Sequence, residues 1–235
     1  MKSRAIAAAV LVLSMVVAGL AAPTSANALV LGFYGNAGLG SSDWDNSGSL
    51  FSDDNHDTRH AGLGFVMGTA SMRNPVNYRM YLGYEEITHE GNGGESDITM
   101  NGLVVDQDLL FNLTRGQVRL WVGPELRLGF LSGSSDAGGV GDQNFFVIGA
   151  GPVMGLDFRI APSMGLSWKL GYLISSYSGD DNSWNHGHGD TSLVEGHGYI
   201  SLALLFSTWG GGYHEAPMQQ VPVQQAPPAY YPRPR

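Results

Sequence analysis

The chain has 235 residues, no cysteine and a formal net charge of −9 at pH 7, from 21 acidic and 12 basic side chains. The lack of cysteine excludes disulfide bonds and thiol chemistry. No basic patch is present, so nucleic-acid binding is not expected. The 34 glycines argue against a helical fold, and the length suits one domain.

The first 28 residues have the pattern of a secretory signal peptide. Lys2 and Arg4 give a positive start, an apolar run extends from Ala5 to Leu20, and Ala26-Asn27-Ala28 matches a cleavage site. We therefore expect a signal peptide over residues 1–28 and a mature chain that begins at Leu29. A membrane-anchoring helix is the alternative, but the short apolar run leads directly into small residues.

After Leu29 the chain repeats a segment in which apolar side chains alternate with small or polar ones. The clearest copy runs from Val118 to Phe130, where even positions are apolar and odd positions carry Arg119, Glu125, Arg127 and glycines. Successive side chains of a strand point to opposite faces, so each copy has one apolar and one polar face. The alternation predicts strands over 29–39, 60–71, 78–88, 98–113, 118–130, 144–160, 164–177 and 193–209.

The connections between these strands alternate in length. Short turns follow the second, fourth and sixth strands, at Asn74-Pro75, Thr114-Arg115-Gly116 and Ala161-Pro162-Ser163, whereas longer polar segments follow the others. Short periplasmic turns and long outer loops are typical of outer-membrane barrels. We therefore expect an all-β fold, an eight-stranded antiparallel up-and-down transmembrane β-barrel over residues 29–209.

A soluble, lipocalin-like barrel is the alternative, because it has the same alternation with the two faces exchanged. The glycines on the polar face favour the membrane barrel, since a narrow lumen needs small residues beside its few large ones. Five large residues fall on the polar face, where they either fill the lumen or mark a β-bulge that shifts the register. They are Trp121, Phe145, Val147, Leu173 and Tyr199.

The polar faces carry charges of both signs, which must pair with each other if they lie inside a narrow barrel. We expect a charge network that fills the lumen, and a conducting pore is the alternative. Its predicted members are Arg79, Glu85, Asp106, Asp108, Arg119, Glu125, Arg127, Asp157, Arg159 and Lys169.

One acidic segment matches the spacing of a calcium-binding loop. Asp43, Asp45 and Ser47 supply oxygen atoms at its first, third and fifth positions, Gly48 permits a sharp turn, and Asp54 stands at the twelfth position. Asp54 replaces the usual glutamate, which weakens the site, and an ordinary polar loop has a similar composition. A calcium ion in this first outer loop is therefore a candidate cofactor.

Histidines near the outer loops are a second candidate for metal binding. The segment Asn185-His186-Gly187-His188-Gly189-Asp190 offers two imidazoles and a carboxylate, which bind zinc, nickel or copper. His56, His60 and His89 also lie in or beside predicted outer loops. An ordinary polar loop is again the alternative.

The signal peptide, the eight alternating strands, the loop asymmetry and the aromatic-ended last strand (Tyr199 to Phe206, then Trp209) resemble a known family. It is the family of small eight-stranded outer-membrane barrels of the OmpA-transmembrane, OmpX and opacity-protein type, and the resemblance covers about Leu29 to Trp209. Members serve as adhesins, anchors, resistance factors or lipid-modifying enzymes, so the resemblance leaves the activity open.

An enzyme is not expected. His197, Glu195 and Ser176 are the candidates for a lipid-modifying site, by their position near the barrel rim alone. The sequence contains no His-x-Ser pair of the lipid A deacylase type.

Residues 210–235 are rich in proline and glutamine, so they cannot form a packed element and are expected to be a disordered periplasmic tail. This is a departure from the family, whose barrels usually end on the final aromatic residue. OmpA-type proteins continue into a folded peptidoglycan-binding domain, which the tail does not resemble.

The sequence predicts a bacterial outer-membrane protein that acts as an anchor and presents acidic surface loops for adhesion or interaction. A lipid A-modifying enzyme and a narrow, low-conductance porin are the alternatives. Expected partners are outer-membrane lipid and lipopolysaccharide, the barrel-insertion machinery and a surface or cell-wall partner. The loops are expected outside the cell and both termini in the periplasm.

Overall fold

The computed structural model describes residues 29–46, 55–69, 75–90, 97–114, 116–135, 143–161, 163–180 and 190–207. The predicted signal peptide and the predicted tail lie outside these residues. Within the described ranges, no helix is both long and apolar enough to cross a membrane.

The chain forms eight antiparallel strands that close into a barrel. Each strand pairs with its neighbours in sequence, and β1 closes the barrel by pairing with β8. The predicted all-β up-and-down fold is confirmed. The strands are β1 (Leu29–Asn46), β2 (Asn55–Thr69), β3 (Val76–His89), β4 (Ile98–Asn112), β5 (Val118–Ser135), β6 (Gln143–Ala161), β7 (Met164–Asp180) and β8 (Asp190–Ser207).

The register of the eight pairs fixes the dimensions of the barrel. If one starts at Phe33 on β1 and moves from each residue to its partner on the next strand, the path returns to β1 at Asp43. The residues along this path are Phe65, Leu82, Val105, Leu128, Ile148, Ser176 and Val194. The return point is displaced by 43 − 33 = 10 residues along β1. With a rise of about 3.4 Å per residue and strands about 4.8 Å apart, this shear corresponds to a tilt of about 41° and a backbone radius of about 8 Å.

The apolar side chains point outward and the polar ones inward over most of the barrel. Leu63 is 71% exposed, whereas the inward-facing Asp108 and Glu195 are 0% exposed. This orientation is that of a lipid-facing barrel and rules out the lipocalin-like alternative. The exposed large apolar residues form an apolar belt that begins where β1 starts and β8 ends, and its upper edge is formed by Leu39, Tyr84, Leu103, Phe130 and Ile174.

The large residues on the polar faces point into the lumen and do not mark a bulge. Trp121, Phe145, Val147, Leu173 and Tyr199 are all at most 4% exposed. In the described strands the register shifts only between Arg159 and Ala161, at the end of β6. The alternation therefore continues unbroken through all five positions.

Inward glycines make room for these large side chains, as the sequence predicts. Trp121 pairs with Gly155 across β5 and β6, and Tyr199 pairs with Gly171 across β7 and β8. A Cβ atom on Gly155 would overlap the Trp121 ring, and one on Gly171 would overlap the Tyr199 ring. A ring from one strand thus occupies the space that the paired glycine leaves open.

Several strands are longer than predicted at the end that carries the long connections. β1 extends to Asn46 instead of residue 39, β2 begins at Asn55 instead of residue 60, and β5 extends to Ser135 instead of residue 130. These extensions expose polar residues such as Ser41, Asp57 and Ser132 on the outside. A serine-, glycine- and aspartate-rich segment is typical of a loop, which is why the sequence predicts shorter strands here.

Candidate functional site

The barrel interior is the candidate functional site. We call the end with Leu29, Ser207 and the short connections the turn end, and the opposite end the loop end. Among the ten predicted lumen residues, Arg119 and Arg159 are half-buried near the turn end. The other eight are buried in the interior: Arg79, Glu85, Asp106, Asp108, Glu125, Arg127, Asp157 and Lys169.

The layer nearest the turn end is built around Asp157. Its carboxylate accepts hydrogen bonds from Arg79 Nη2 at 2.6 Å, Arg119 Nη2 at 2.5 Å, Trp121 Nε1 at 3.1 Å and Ser167 Oγ at 2.7 Å. Arg79 also donates to Ser167 Oγ at 2.8 Å and lies over the Trp121 ring, 5.5 Å from its centroid. Because Arg79 is on β3 and Asp157 on β6, this ion pair joins opposite walls of the barrel.

A middle layer is built around Lys169. Its ammonium lies 3.1 Å from an oxygen of Asp108 and 3.2 Å from an oxygen of Glu125. The Tyr199 hydroxyl donates a hydrogen bond to the same Glu125, and the Tyr81 ring lies under the ammonium at 4.0 Å. Lys169 is on β7 and Asp108 on β4, so this layer also crosses the lumen.

The third layer lies toward the loop end and is built around Arg127. It donates two hydrogen bonds to Asp106, at 2.8 and 3.0 Å, and contacts Glu85 at 3.0 Å. Glu85 continues the network, because its Oε1 lies 3.0 Å from His60 Nδ1. The other ring nitrogen of His60 contacts Glu195. An ionised carboxylate only accepts hydrogen bonds, so a His60 ring held between two of them carries a proton on each nitrogen.

Glu195 is the centre of a cluster on the wall formed by β8, β1 and β2. It accepts hydrogen bonds from Thr58 Oγ1 at 2.6 Å and from the Tyr177 hydroxyl at 2.5 Å, in addition to His60. The His197 ring is stacked on the His60 ring, with centroids 4.0 Å apart and an interplanar angle of 18°. His197 Nδ1 lies 3.8 Å from Glu195 Oε1, and among the described residues neither of its ring nitrogens has a hydrogen-bond partner.

Toward the loop end, a group of buried apolar side chains packs together in the interior. We call this group of packed side chains the apolar cap. It begins near the edge of the apolar belt, where its member Val104 follows the exposed Leu103. Its members are Ile87, Met100, Val104, Leu131, Phe145, Val147, Tyr177 and Leu193.

The prediction from sequence leaves out the members of this network near the loop end. It places His60 in or beside an outer loop and Glu195 and His197 near the barrel rim, yet all three are buried in the interior. The alternation of side chains along a strand identifies them. Because Ala61 and Ile200 face outward, residue 60 and residues 199, 197 and 195 must face inward. Ser176 is exposed on the outer face. The three candidates for a lipid-modifying site, His197, Glu195 and Ser176, therefore do not lie together, since the sheet separates the serine from the other two.

The predicted calcium loop is mostly outside the described residues. Asp43 and Asp45 lie in β1 and pair with Val194 and Ser192 of β8, and the Asp43 side chain is exposed. Ser47 and Asp54 are not among the described residues, and neither are His186 and His188. Calcium binding by Asp43, Asp45, Ser47 and Asp54 stays a prediction.

Comparisons with known proteins support the fold and leave the activity open. No protein-family model matches the chain, and no curated protein matches it. The outer membrane protein OprG from Pseudomonas aeruginosa has a similar structure, with a TM-score of 0.51 and 11% sequence identity over 77% of this chain and 97% of that one.

Two further solved structures are less similar. A major outer membrane protein from Thermus thermophilus gives a TM-score of 0.42 at 15% identity, over 75% of this chain and 98% of that one. Neisserial surface protein A gives 0.39 at 16% identity, over 72% of this chain and 95% of that one. With its closed antiparallel sheet and the similarity to OprG, the chain has the fold of the small eight-stranded outer-membrane β-barrels.

Proposed function

We propose that this protein is an outer-membrane anchor that presents surface loops for adhesion or interaction and whose lumen does not conduct ions. The apolar belt supports the membrane location, because an exposed surface of this size and continuity is stable only in contact with lipid. The likeness in fold to OprG agrees with it. Lipid and lipopolysaccharide are then the surroundings of the belt, and the barrel-insertion machinery is an expected partner.

The strand length supports the presentation of loops. β1 has 18 residues, which at a tilt of about 41° correspond to a height of about 45 Å. The apolar band of such barrels is only about 25 Å tall. We infer that the loop end, with exposed Asp43, Asp57 and Arg59, projects beyond the membrane and carries the four long connections into the surroundings of the cell.

The ion pairs that cross the lumen are the observation that carries the proposal of a closed barrel. Arg79 joins β3 to β6, and Lys169 joins β7 to β4. A backbone radius of about 8 Å leaves an interior that side chains fill. Passage of a hydrated ion would require these pairs to separate, which leaves buried charges without partners.

Planar-bilayer recording of the full chain tests this proposal. We expect no discrete conductance steps, and a known porin added to the same bilayer afterwards provides the control for detection. Resolved steps that depend on the protein would contradict the closed lumen and favour the porin alternative. Mass spectrometry of lipid A from cells with and without the protein tests the enzyme alternative, which an altered acyl pattern would support.

A further inference from the structure

The His197 side chain is buried and makes no hydrogen bond with the residues that the structure describes. It is 1% exposed, and this lack of a hydrogen bond applies to both of its ring nitrogens. A buried polar group without a hydrogen bond destabilises the fold, so such a group indicates a ligand or a functional role. We propose that His60, Glu195 and His197 bind a divalent first-row transition-metal ion such as Zn²⁺ in the loop-end half of the barrel.

The donor atoms suit such an ion. Two imidazoles and one carboxylate offer one atom each, all within 4.8 Å of one another. Imidazole nitrogen and carboxylate oxygen are the usual ligands of zinc. Zinc ligands at about 2.1 Å in tetrahedral geometry lie about 3.4 Å apart. The 3.8 Å between His197 Nδ1 and Glu195 Oε1 is close to that separation.

The surrounding groups resemble the outer shell of a metal site. A metal-bound histidine usually donates its other ring N–H to a carboxylate, which fixes the orientation of the ring. Glu85 Oε1 is in that position, 3.0 Å from His60 Nδ1. Thr58 and Tyr177 hold the Glu195 carboxylate in the same way. Two of the three proposed ligands, His60 and Glu195, are therefore oriented by hydrogen bonds that do not involve the ion.

Binding requires one proton to leave and one ring to turn. The ion takes the place of the proton between His60 Nε2 and Glu195, and that proton is released to solvent as the imidazole becomes neutral. Two stacked rings do not aim their nitrogen lone pairs at one point, so the His197 ring must tilt away from its stacked position. This rotation breaks no hydrogen bond with the part of the chain that the structure describes, because His197 makes none there.

Polar side chains on β1, β2 and β3 continue from the cluster toward the loop end. Ser42, His56 and His89 face the interior beyond the cluster and are buried. Ser42 Oγ lies 3.0 Å from His89 Nδ1, and His56 Nδ1 lies 3.0 Å from the Glu90 carbonyl oxygen. The apolar cap, in contrast, occupies mainly the wall formed by β4, β5, β6 and β7. An ion that enters from the loop end would therefore pass along imidazole and hydroxyl groups.

Binding of Co²⁺ and Zn²⁺ to the refolded, tag-free full chain in detergent tests the proposal. We expect Co²⁺ to give visible d–d absorption with a stoichiometry of about one, and Zn²⁺ to abolish that absorption and raise the unfolding midpoint. His197→Leu should lose both effects and still fold, because the histidine ring makes no hydrogen bond to any described residue. Heat-modifiability on a detergent gel verifies folding.

The matched control is the double variant H186Q/H188Q, which removes two loop histidines and leaves the cluster intact. It should retain the cobalt absorption and the zinc stabilisation. The proposal is overturned if the wild-type chain binds neither ion. It is also overturned if H197L binds as the wild type does, or if H186Q/H188Q removes the binding.

Discussion

Replacement of Lys169 with methionine tests whether the barrel interior is a structural network. Methionine keeps most of the length and the apolar stem of lysine but removes the ammonium group. In the wild-type protein the ammonium lies 3.1 Å from Asp108 and 3.2 Å from Glu125, and the lysine side chain is 4% exposed. Both carboxylates are buried, so neither can replace the lost cation with water.

The expected loss of stability is large. Removal of one partner from a buried ion pair costs about 3–5 kcal/mol, because the other partner is left buried without compensation. The contact of the ammonium with the Tyr81 ring, at 4.0 Å, is lost as well, and such contacts contribute about 0.5–2 kcal/mol. Protonation of one carboxylate offsets part of this cost. We therefore expect K169M to lower the free energy of unfolding by about 3–5 kcal/mol.

Urea unfolding in phospholipid vesicles, followed by tryptophan fluorescence, provides the measurement. Similar m-values would show that the variant and the wild type expose the same amount of surface on unfolding. Arg59→Met is the matched control, since Arg59 pairs with Glu90 at 2.6 Å but its side chain is 67% exposed. An exposed pair of this kind is worth about 0–1 kcal/mol, so the control should unfold close to the wild type.

A triple variant separates the loss of charge balance from the loss of packing. K169M combined with Asp108→Asn and Glu125→Gln removes all three charges of the middle layer and keeps its shape. If uncompensated charge is the cause, the triple variant recovers most of the stability that K169M loses. The reasoning is refuted if K169M loses less than about 1 kcal/mol, or if the triple variant is no more stable than K169M.

Two further substitutions, each with a matched control, test the packing of the interior and the position of the membrane. Gly155→Leu should lower stability by about 1–3 kcal/mol, because its Cβ would overlap the Trp121 ring. A Cβ atom added at Gly198 would lie 3.9 Å from its nearest neighbour among the described residues, so Gly198→Leu should be tolerated. Equal losses of stability in the two variants would contradict the packing argument. Leu202→Arg, on the apolar belt of β8, should cost about 2–4 kcal/mol in vesicles. Ser132→Arg, outside the belt, should cost less than about 0.5 kcal/mol. A larger loss of stability in Ser132→Arg than in Leu202→Arg would place the membrane at a different level of the barrel.

The identity of the inward face was predictable from the sequence, because a strand has a strict period of two. Once the apolar residues of β5 are assigned to the outside, Arg119, Glu125 and Arg127 must point inward, and the structure places them there. The inward glycines were informative for the same reason. A residue such as Gly155 leaves space that only a ring from the neighbouring strand can fill, and Trp121 is its partner.

The pairing of the charges was not predictable from the sequence. Arg127 pairs with Asp106 on the adjacent strand, as a ladder neighbour does. Lys169, however, pairs with Asp108 on the opposite side of the barrel. Contacts across the lumen depend on the height of each side chain along the axis, which follows from the displacement of 43 − 33 = 10 residues around the closed sheet. Eight strands treated separately contain no information about this displacement.

The same strands change their polarity along their length, which explains why the sequence predicts them too short at the loop end. On β5, the apolar Phe130 is exposed and the charged Arg127 is buried. In the two residues that follow Phe130, the apolar Leu131 is buried and the polar Ser132 is exposed. Parity is unchanged, and only the surroundings differ. Lipid favours apolar side chains on the outer face of the belt, whereas water favours them on the inner face once the barrel has left the membrane. The point of exchange in the sequence therefore marks the loop-end edge of the apolar belt, and near this level the side chains of the apolar cap form a core inside the barrel.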